Sequence, residues 1–434
     1  MGAEATVNAK KVGPAIVLVL LFAVSLFTTF NPLRKAIPDF YVGVKFAYSH
    51  NLNDSRVILS DLKGLVDKVD GYTNLFIIGI PEVSLNQTLL TESCDYITGK
   101  AGLSVIVLYK DTTKYPYNLS EWTSGAAQRY GSKFLGVYRF DEPGGKELDN
   151  ATFGGSPDRF LNQKDFGPNV RNYEDAARLY LDILQLHLEA LSQVLYPKIF
   201  TSDYGLYWFD YKGGYESVFG EFVWNNSRQI AISACRGAAQ AQGKDWGIMI
   251  TWMYDTAPYI ENGQQLYDDL VLAYKAGAKY AAVFDYPDVG QYGILTDEQF
   301  DALKDFWKYV KGNPQEHRSQ DGKVAYVLPD GYGFGLRRPD DTIWGIWNAD
   351  DLAPKIWSDT NKLITQYGLN LDIVYNDPEF INTVTSHYEQ LFFWNVTINS
   401  KRREKGLVRF YPDFAVTSGV PTYKPAAGGS AASG

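Results

Sequence analysis

The sequence predicts an α/β protein: a (β/α)8 barrel that is followed by a small α/β domain and preceded by an N-terminal transmembrane helix. Three observations support this fold class. Residues 13–30 form an uncharged apolar run, eight short apolar segments alternate with helix-period segments in residues 38–312, and a shorter alternating set follows a polar stretch. The chain has 434 residues, 45% of them hydrophobic, and is long enough to bury one large core and a smaller one.

The apolar run Gly13–Phe30 is close to the shortest length that spans a bilayer as a helix. Two lysines precede it, and Arg34 and Lys35 follow it, so the flanking charges do not set its orientation. We interpret residues 1–37 as a cytoplasmic stub and a signal anchor. The lipid bilayer is then the expected partner of residues 13–30.

Asn-x-Ser/Thr sequons favour an exported, N-glycosylated body, so we expect a single-pass protein of the cell membrane with its body outside. With so few cysteines, such a surface protein is more typical of an archaeal envelope than of a eukaryotic secretory product. The sequons lie at Asn53, Asn86, Asn118, Asn150, Asn225 and Asn395.

A cleaved signal peptide is the alternative for the N-terminus, and it would make the protein secreted. The segment from Ala23 to Ser25 has small residues at the positions that a signal peptidase prefers. The apolar character continues beyond Ser25 to Phe30, which favours the uncleaved anchor.

The predicted barrel strands are short segments rich in Val, Ile, Tyr and Phe. Helix start signals separate them, such as the Thr-x-x-Gln capping box at Thr296. Eight strand-helix units match a closed barrel, whereas an open doubly wound sheet usually has fewer strands. The strands are Tyr41–Tyr48, Leu75–Ile80, Ser104–Tyr109, Phe134–Phe140, Lys198–Ser202, Ser217–Phe222, Gly247–Trp252 and Tyr280–Phe284.

A small α/β domain is predicted over residues 322–410, after a polar linker. Residues 411–434 are expected to be a disordered tail, because a sequence such as AAGGSAASG has too little apolar content to pack. The predicted strands of the small domain are Val324–Leu328, Ile343–Trp347, Leu371–Tyr375 and Gln390–Trp394, and its helix is Asp351–Tyr367.

Composition argues against several classes of partner. The net charge of -9, without a cluster of Lys and Arg, argues against a nucleic-acid partner. Cys94 and Cys235 are too few for a disulfide scaffold and would lie on opposite sides of the barrel, so we expect two buried free thiols. The four histidines have no metal-ligand spacing, so no metal is expected, and no cofactor is expected because the sequence lacks a P-loop and a full dinucleotide fingerprint. The oligomeric state cannot be deduced from these features.

The carboxyl ends of the predicted strands carry acidic and aromatic residues, and the working residues of such barrels lie at these ends and in the loops that follow. The candidate catalytic residues are Glu142, Asp285, Glu221 and Asp141. The candidate substrate-binding residues are Asp203, Tyr204, Trp208, Trp252, Tyr254 and Tyr286.

Acids and flat rings around one opening are what glycoside hydrolysis requires: one carboxylic acid protonates the leaving oxygen, a second carboxylate acts as nucleophile or base, and the rings contact sugar faces. Glu142 and Asp285 form a plausible pair across the mouth, with Glu221 and Asp203 as alternatives. Trp208 is expected to be exposed, because glycines surround it.

FDEPGG after the fourth strand and ITWMYD after the seventh resemble glycoside-hydrolase-type TIM barrels. Retaining members usually have Asn-Glu after the fourth strand and Glu after the seventh, so the resemblance transfers the acid/base role only to Glu142. It implies hydrolysis of a polysaccharide or surface glycan, with carbohydrate as the partner and no cofactor. The alternative is a non-catalytic protein that binds glycan or forms part of the cell envelope.

Overall fold

The computed structural model describes the chain from residue 40 to residue 395 with several gaps. The predicted anchor and the predicted tail lie outside the described residues. Within the described part, no helix combines the length and the apolar character needed to cross a membrane. The described residues are 40–109, 115–150, 152–153, 156–157, 161, 170–192, 198–287 and 289–395.

Eight parallel strands close into a barrel, which confirms the predicted (β/α)8 architecture. Each strand pairs with its neighbour in the chain, and the last strand pairs with the first, so the sheet has no free edge. The strands are β1 (Tyr41–Phe46), β2 (Leu75–Ile78), β3 (Ser104–Tyr109), β4 (Phe134–Arg139), β5 (Lys198–Asp203), β6 (Ser217–Phe222), β7 (Asp245–Ile250) and β8 (Tyr280–Phe284).

Helices follow the strands and cover the outside of the barrel. Their starts use side-chain caps: Asn118 accepts a hydrogen bond from the backbone N–H of Glu121, and the predicted capping box of Thr296 and Gln299 is present. The helices are α1 (Ser55–Val69), α2 (Pro81–Ser84), α3 (Gln87–Gly99), α4 (Leu119–Tyr130), α5 (Pro143–Leu148), α6 (Tyr173–Ser192), α7 (Tyr207–Lys212), α8 (Arg228–Ala241), α9 (Gly263–Lys275) and α10 (Asp297–Gly312).

Short elements complete the described barrel and its linkers. Two-residue strands pair antiparallel, and single turns of 3-10 helix connect longer elements. The two-residue strands are Thr152–Phe153 and Ser156–Pro157, and the 3-10 turns are Gly131–Lys133, Pro314–Glu316 and Gly368–Asn370.

Side chains of alternate strand residues fill the barrel interior. The rings of Phe200 and Tyr280 meet edge to face with centroids 5.2 Å apart, and Phe219 lies 5.9 Å from Tyr280. Leu75, Ile106 and Met249 belong to the same cluster and are fully buried. Because this interior is packed, chemistry has to take place at an end of the barrel.

A three-stranded parallel sheet follows the barrel, in the order β10-β9-β11. The predicted strand Ile343–Trp347 is wrong. Trp344 and Gly345 have positive φ angles of 56° and 62°, which turn the chain and leave only isolated bridges. The elements are β9 (Val324–Leu328), α11 (Leu352–Tyr367), β10 (Leu371–Tyr375), α12 (Ile381–His387) and β11 (Gln390–Phe393).

A fully buried ion pair joins α8 of the barrel to β10 of the small sheet. Arg236 Nε lies 2.8 Å from Asp372 Oδ1, and the hydroxyl group of Tyr388 donates to Asp372 Oδ2 over 2.9 Å. A Cβ atom on Gly237 would lie 2.4 Å from the carbonyl oxygen of Ile373, so a glycine permits this close approach. Since removing one member of a buried pair is costly, the contact fixes where the sheet sits on the barrel.

The two cysteines are buried free thiols, as the sequence predicts. Burial raises the pKa of both the Cys94 and the Cys235 thiol, which keeps them protonated and unreactive at neutral pH.

Candidate active site

A cavity of about 350 Å³ opens at the carboxyl ends of the barrel strands. It is lined by acidic, basic and aromatic side chains from several strands. This is the end of the barrel at which the functional residues of (β/α)8 proteins lie. Among the residues predicted from the sequence, the cavity contains Asp141, Glu142, Tyr204, Glu221, Trp252 and Tyr286.

The loop after β4 presents two adjacent carboxylates to this cavity. Phe140 and Glu142 both have positive φ angles, of 51° and 55°, a conformation that is uncommon for residues other than glycine. Pro143 then occupies the first turn of α5, and the backbone N–H of Glu142 donates to the carbonyl oxygen of Ser202 over 3.0 Å. This sharp turn aims Asp141 and Glu142 away from the strand and toward the opening.

The buried carboxylate of Asp203 holds the first turn of α5. Its oxygens accept hydrogen bonds from the backbone N–H groups of Gly144 and Gly145, over 2.6 and 2.7 Å, and from that of Tyr204 over 2.7 Å. Burial raises the pKa of Asp203 to about 7, although the backbone donors act in the opposite direction. Asp203 was predicted to bind substrate, but its oxygens are occupied by backbone groups and it does not line the cavity.

The two glycines of FDEPGG are explained by close packing. A Cβ atom on Gly145 would lie 2.2 Å from the ring of Tyr204, and one on Gly144 would lie 2.7 Å from the carbonyl oxygen of Gly205. Side chains at these positions would push α5 away from β5. The motif therefore brings the helix close enough for Asp203 to reach its backbone.

Asp141 is held as an ionised carboxylate. Its Oδ1 atom lies 3.2 Å from Lys45 Nζ and accepts a 2.6 Å hydrogen bond from the hydroxyl group of Tyr138, while Lys146 Nζ lies 3.8 Å from Oδ2. Desolvation opposes ionisation, but the charges of Lys45 and Lys146 and the Tyr138 hydrogen bond keep the pKa of Asp141 well below its ordinary value. Its side chain remains 48% exposed, so the charge faces the opening.

Glu142 and Glu221 form a pair of carboxyl groups whose pKa values are shifted in the opposite direction to that of Asp141. Glu221 is 3% exposed, and its Oε1 atom accepts a 2.5 Å hydrogen bond from Ser202 Oγ. No N–H or O–H donor of the described residues reaches its Oε2 atom, and the carboxyl group of Glu142 lies near enough for the negative charges of the two groups to repel each other. Two negative charges this close repel each other, which favours a state in which one of the two carboxyl groups keeps a proton.

The pair is therefore biased toward the protonated form. Burial, followed by the negative charges of Glu221 and Asp141, raises the pKa of Glu142 well above its ordinary value. Burial and the charge of Asp141 raise the pKa of Glu221 to about 7. At neutral pH the site thus combines an ionised Asp141 with a pair that retains a proton.

Asp285, the predicted partner of Glu142, has a different place. Its side chain is 1% exposed, does not line the cavity, and accepts a 2.7 Å hydrogen bond from the backbone N–H of Ala47. Burial raises the pKa of Asp285 well above its ordinary value. The residue links the ends of β8 and β1, where the barrel closes, and Glu221 is the acid that lies beside Glu142.

Aromatic rings form one wall of the opening. Trp252 and Tyr286 stack with centroids 6.1 Å apart and an interplanar angle of 22°, and the indole N–H of Trp252 donates to the carbonyl oxygen of Tyr286. Tyr286 is 45% exposed. Tyr254 is also exposed but does not line the cavity. The stacked pair offers the flat apolar surface that a sugar ring can contact.

The expectation that Trp208 is exposed is wrong. It lies in α7 and is 2% exposed, with its indole N–H donating to Asp377 and its ring 5.4 Å from that of Tyr375. The glycines near it permit close packing of α7. At Gly213, the side chain of Leu184 leaves no space for another side chain. Trp208 fills the contact between the barrel and the small sheet.

Sequence reasoning missed Lys45, Lys146 and Trp224, which also line the cavity. Lys45 could have been found as the one charged residue of the strand segment YVGVKFAY. Trp224 is 39% exposed and follows the end of β6 by two residues. In the described part of the chain, no group of three or more His, Cys, Asp or Glu side chains is arranged to hold a metal ion.

No protein-family model matches this chain, and no curated protein matches it. An endo-1,4-β-mannanase from Eisenia fetida is 11% identical, with 61% of this chain and 90% of that protein covered and a TM-score of 0.39. A β-glucanase from Saccharophagus degradans is 13% identical over 63% and 88%, with a TM-score of 0.36. A putative dihydrodipicolinate synthetase from Pseudomonas aeruginosa is 10% identical over 64% and 79%, with a TM-score of 0.33.

The raised pKa of Glu221 predicts a pH-dependent effect of the substitution Glu221→Gln. Because the folded chain retains a proton that the unfolded chain releases, this carboxyl group's contribution to stability is lost as pH rises from about 4.5 to about 7. Glutamine does not titrate, so E221Q does not lose stability in this way. Relative to wild type, the free energy of unfolding of E221Q should therefore increase by on the order of 3 kcal/mol between pH 4.5 and pH 8.

Urea unfolding of both proteins at the two pH values measures this difference. Glu121→Gln, at an exposed position on α4, is the matched control and should show no such change. An equal difference between E221Q and wild type at both pH values would contradict the proton-retaining pair.

Proposed function

We propose that this protein is a glycoside hydrolase that acts on a polysaccharide or a surface glycan, with Glu142 as the general acid. The observation that supports the proposal is a difference in ionisation state between carboxyl groups at one opening: Asp141 is charged, while Glu142 and Glu221 retain a proton. Cleavage of a glycosidic bond needs one protonated carboxylic acid and one carboxylate at the same pH, and therefore two carboxyl groups whose pKa values differ.

The reaction follows from this division. Protonated Glu142 gives its proton to the glycosidic oxygen as the bond between that oxygen and the anomeric carbon breaks, so the leaving sugar departs as an alcohol. Positive charge develops at the anomeric carbon, where the carboxylate of Asp141 stabilises it or bonds to it. Water then adds to the anomeric carbon and returns a proton to Glu142, which restores the starting state.

The neighbours of Asp141 and Glu142 support these roles. Lys45 and Tyr138 bind Asp141, which keeps the carboxylate charged and fixes its direction. Ser202 holds Glu221 beside Glu142, where the negative charge of Glu221 raises the pKa of Glu142 and keeps the proton on it until the leaving oxygen takes it. Because both sets of contacts are buried or half-buried, solvent screens them little.

A carbohydrate substrate is supported by the aromatic wall. The stacked rings of Trp252 and Tyr286 can contact the C–H face of a sugar, while the acids face its oxygens. The cavity volume of about 350 Å³ lies within the range of small-ligand sites. The half-exposed Trp224 and Tyr286 extend this surface to the rim, where neighbouring units of a longer glycan would lie.

Replacing the acid tests the proposal directly. Glu142→Gln should reduce kcat on a natural glycan by roughly 100-fold to 10,000-fold, because glutamine cannot protonate the leaving oxygen. Asp255→Asn, at an exposed position after β7, is the control and should retain wild-type kcat. The measurement is release of reducing sugar from a panel of polysaccharides, with circular dichroism to verify folding.

An aryl glycoside with a nitrophenol leaving group separates the two roles. This leaving group departs without protonation, so E142Q should recover most of its activity on it, whereas Asp141→Asn should lose activity on both substrates. Full activity of E142Q on a natural glycan would contradict the assignment. Tight glycan binding without turnover by the wild type would instead favour a non-catalytic glycan-binding protein.

We also propose that the body lies outside the cell, held to the membrane through residues 13–30, and that it is N-glycosylated. This placement is supported by the exposure of all the sequon asparagines in the described part of the chain. Two of them cap helices through Oδ1, since Asn86 accepts from Leu89 and Asn118 from Glu121, while Nδ2 of Asn86 donates a long 3.5 Å hydrogen bond to Ser55 Oγ. The exposed asparagines are Asn53, Asn86, Asn118, Asn150, Asn225 and Asn395.

Mass spectrometry of peptides from the protein purified from its own source tests this placement. We expect glycan masses at several of the sequons, and the protein in the membrane fraction after a high-pH wash. Unmodified asparagines at all of them, with the protein in the cytosolic fraction, would contradict it.

A further inference from the structure

The loop that follows β9 contacts the last turn of α5, the helix that begins directly after Glu142. Thr342 Oγ1 donates a 2.8 Å hydrogen bond to the carbonyl oxygen of Leu148. A Cβ atom on Gly345 would lie 1.8 Å from the carbonyl oxygen of Glu147, so the two backbones touch. The small sheet is thus joined to the same short helix whose first turn Asp203 holds.

Arg337 is the charged link in this contact. Its Nη1 atom lies 2.6 Å from Asp149 Oδ1, and its Nε and Nη2 atoms bind both oxygens of Asp341 over 2.9 and 2.7 Å. Asp341 is fully buried, and Gly335 makes room for it, because a Cβ atom there would lie 2.2 Å from Asp341 Oδ2. This two-point geometry fixes the guanidinium group in one orientation.

The link continues to the cavity wall through Tyr204. Its hydroxyl group donates a 2.7 Å hydrogen bond to Asp149 Oδ2, and the guanidinium carbon of Arg337 lies 5.6 Å from the centroid of its ring. Tyr204 lines the cavity and leaves no space for a side chain on Gly145. A continuous chain of contacts therefore runs from Asp341 to the surface beside Glu142.

We propose that Arg337 is a positioning residue for Glu142, through which the small sheet becomes part of the active site. The proposal rests on the proposed glycosidase function. Helix α5 has only six residues and is too short to keep its orientation by itself. Asp203 fixes its beginning and Arg337 its end, so the release of either contact changes the position of Glu142 relative to Glu221.

The contacts of Arg337 are with other residues of the protein. Its guanidinium donors are directed to Asp149 and Asp341, and these carboxylates neutralise its charge. Its side chain is 15% exposed and does not line the cavity. Its effect on catalysis is therefore expected in the rate of proton transfer, and its effect on affinity for the glycan is expected to be small.

The substitution Arg337→Met tests the inference, with Arg338→Met as the matched control. Arg338 is the next residue, and its side chain is 63% exposed. We expect R337M to lose about 100-fold in kcat with little change in KM, since a displacement of about 1 Å at the reacting centre has that effect. The midpoint of the basic limb of the pH-activity profile should move to lower pH, because Glu142 becomes more solvated. R338M should match the wild type in all three quantities.

A second readout works without any substrate. The side-chain carboxyl carbons of glutamate, labelled with carbon-13 and assigned with E142Q, report the titration of Glu142 by NMR. Its midpoint should be lower in R337M than in the wild type and R338M.

If the wild type hydrolyses no glycan, the proposed function fails while this titration still tests the positioning role. An unchanged midpoint and pH profile in R337M would overturn the inference, even if its thermal stability falls. If R337M does not fold, Arg337→Lys replaces it, with a smaller shift in the same direction.

Discussion

The geometry of the candidate active site depends on one interaction: the buried carboxylate of Asp203 with the backbone N–H groups of Gly144 and Gly145. A buried carboxylate is costly unless hydrogen-bond donors surround it, and here those donors belong to the first turn of α5. The helix is thereby drawn against β5, and the chain before it must turn sharply. The left-handed conformations of Phe140 and Glu142 are the consequence, and they direct the acids to the cavity.

Asp141 and Glu142 are adjacent in sequence, yet their surroundings separate their ionisation. Two lysines and a tyrosine hydroxyl stabilise the charge of Asp141, whereas Glu142 faces the buried Glu221. Burial raises the pKa of both carboxyl groups, so the neighbouring charges decide the difference: Lys45 and Lys146 lower the pKa of Asp141, whereas the negative charges of Glu221 and Asp141 raise that of Glu142. The same arrangement explains why Lys45 lies in an otherwise apolar strand: its charge is used at the mouth, and its position lies above the packed interior.

The barrel could be predicted from sequence because the alternation of apolar strands and amphipathic helices repeats eight times, and strand ends then gather at one face. Which strand-end acids face the cavity could not be predicted. Asp203 and Asp285 occupy positions like those of Asp141 and Glu221, but backbone N–H groups of neighbouring loops bind them, and such contacts depend on tertiary structure. The burial of Trp208 has the same cause, since the small sheet that covers it is distant in sequence.

A crystal structure of the E142Q protein with a short oligosaccharide would show directly whether these acids contact a sugar. We expect a sugar ring against Trp252 and Tyr286, with the glycosidic oxygen about 3 Å from the side chain of residue 142 and the anomeric carbon facing Asp141. A ligand bound elsewhere, or a cavity that admits no sugar ring while residue 142 points away from the opening, would contradict it.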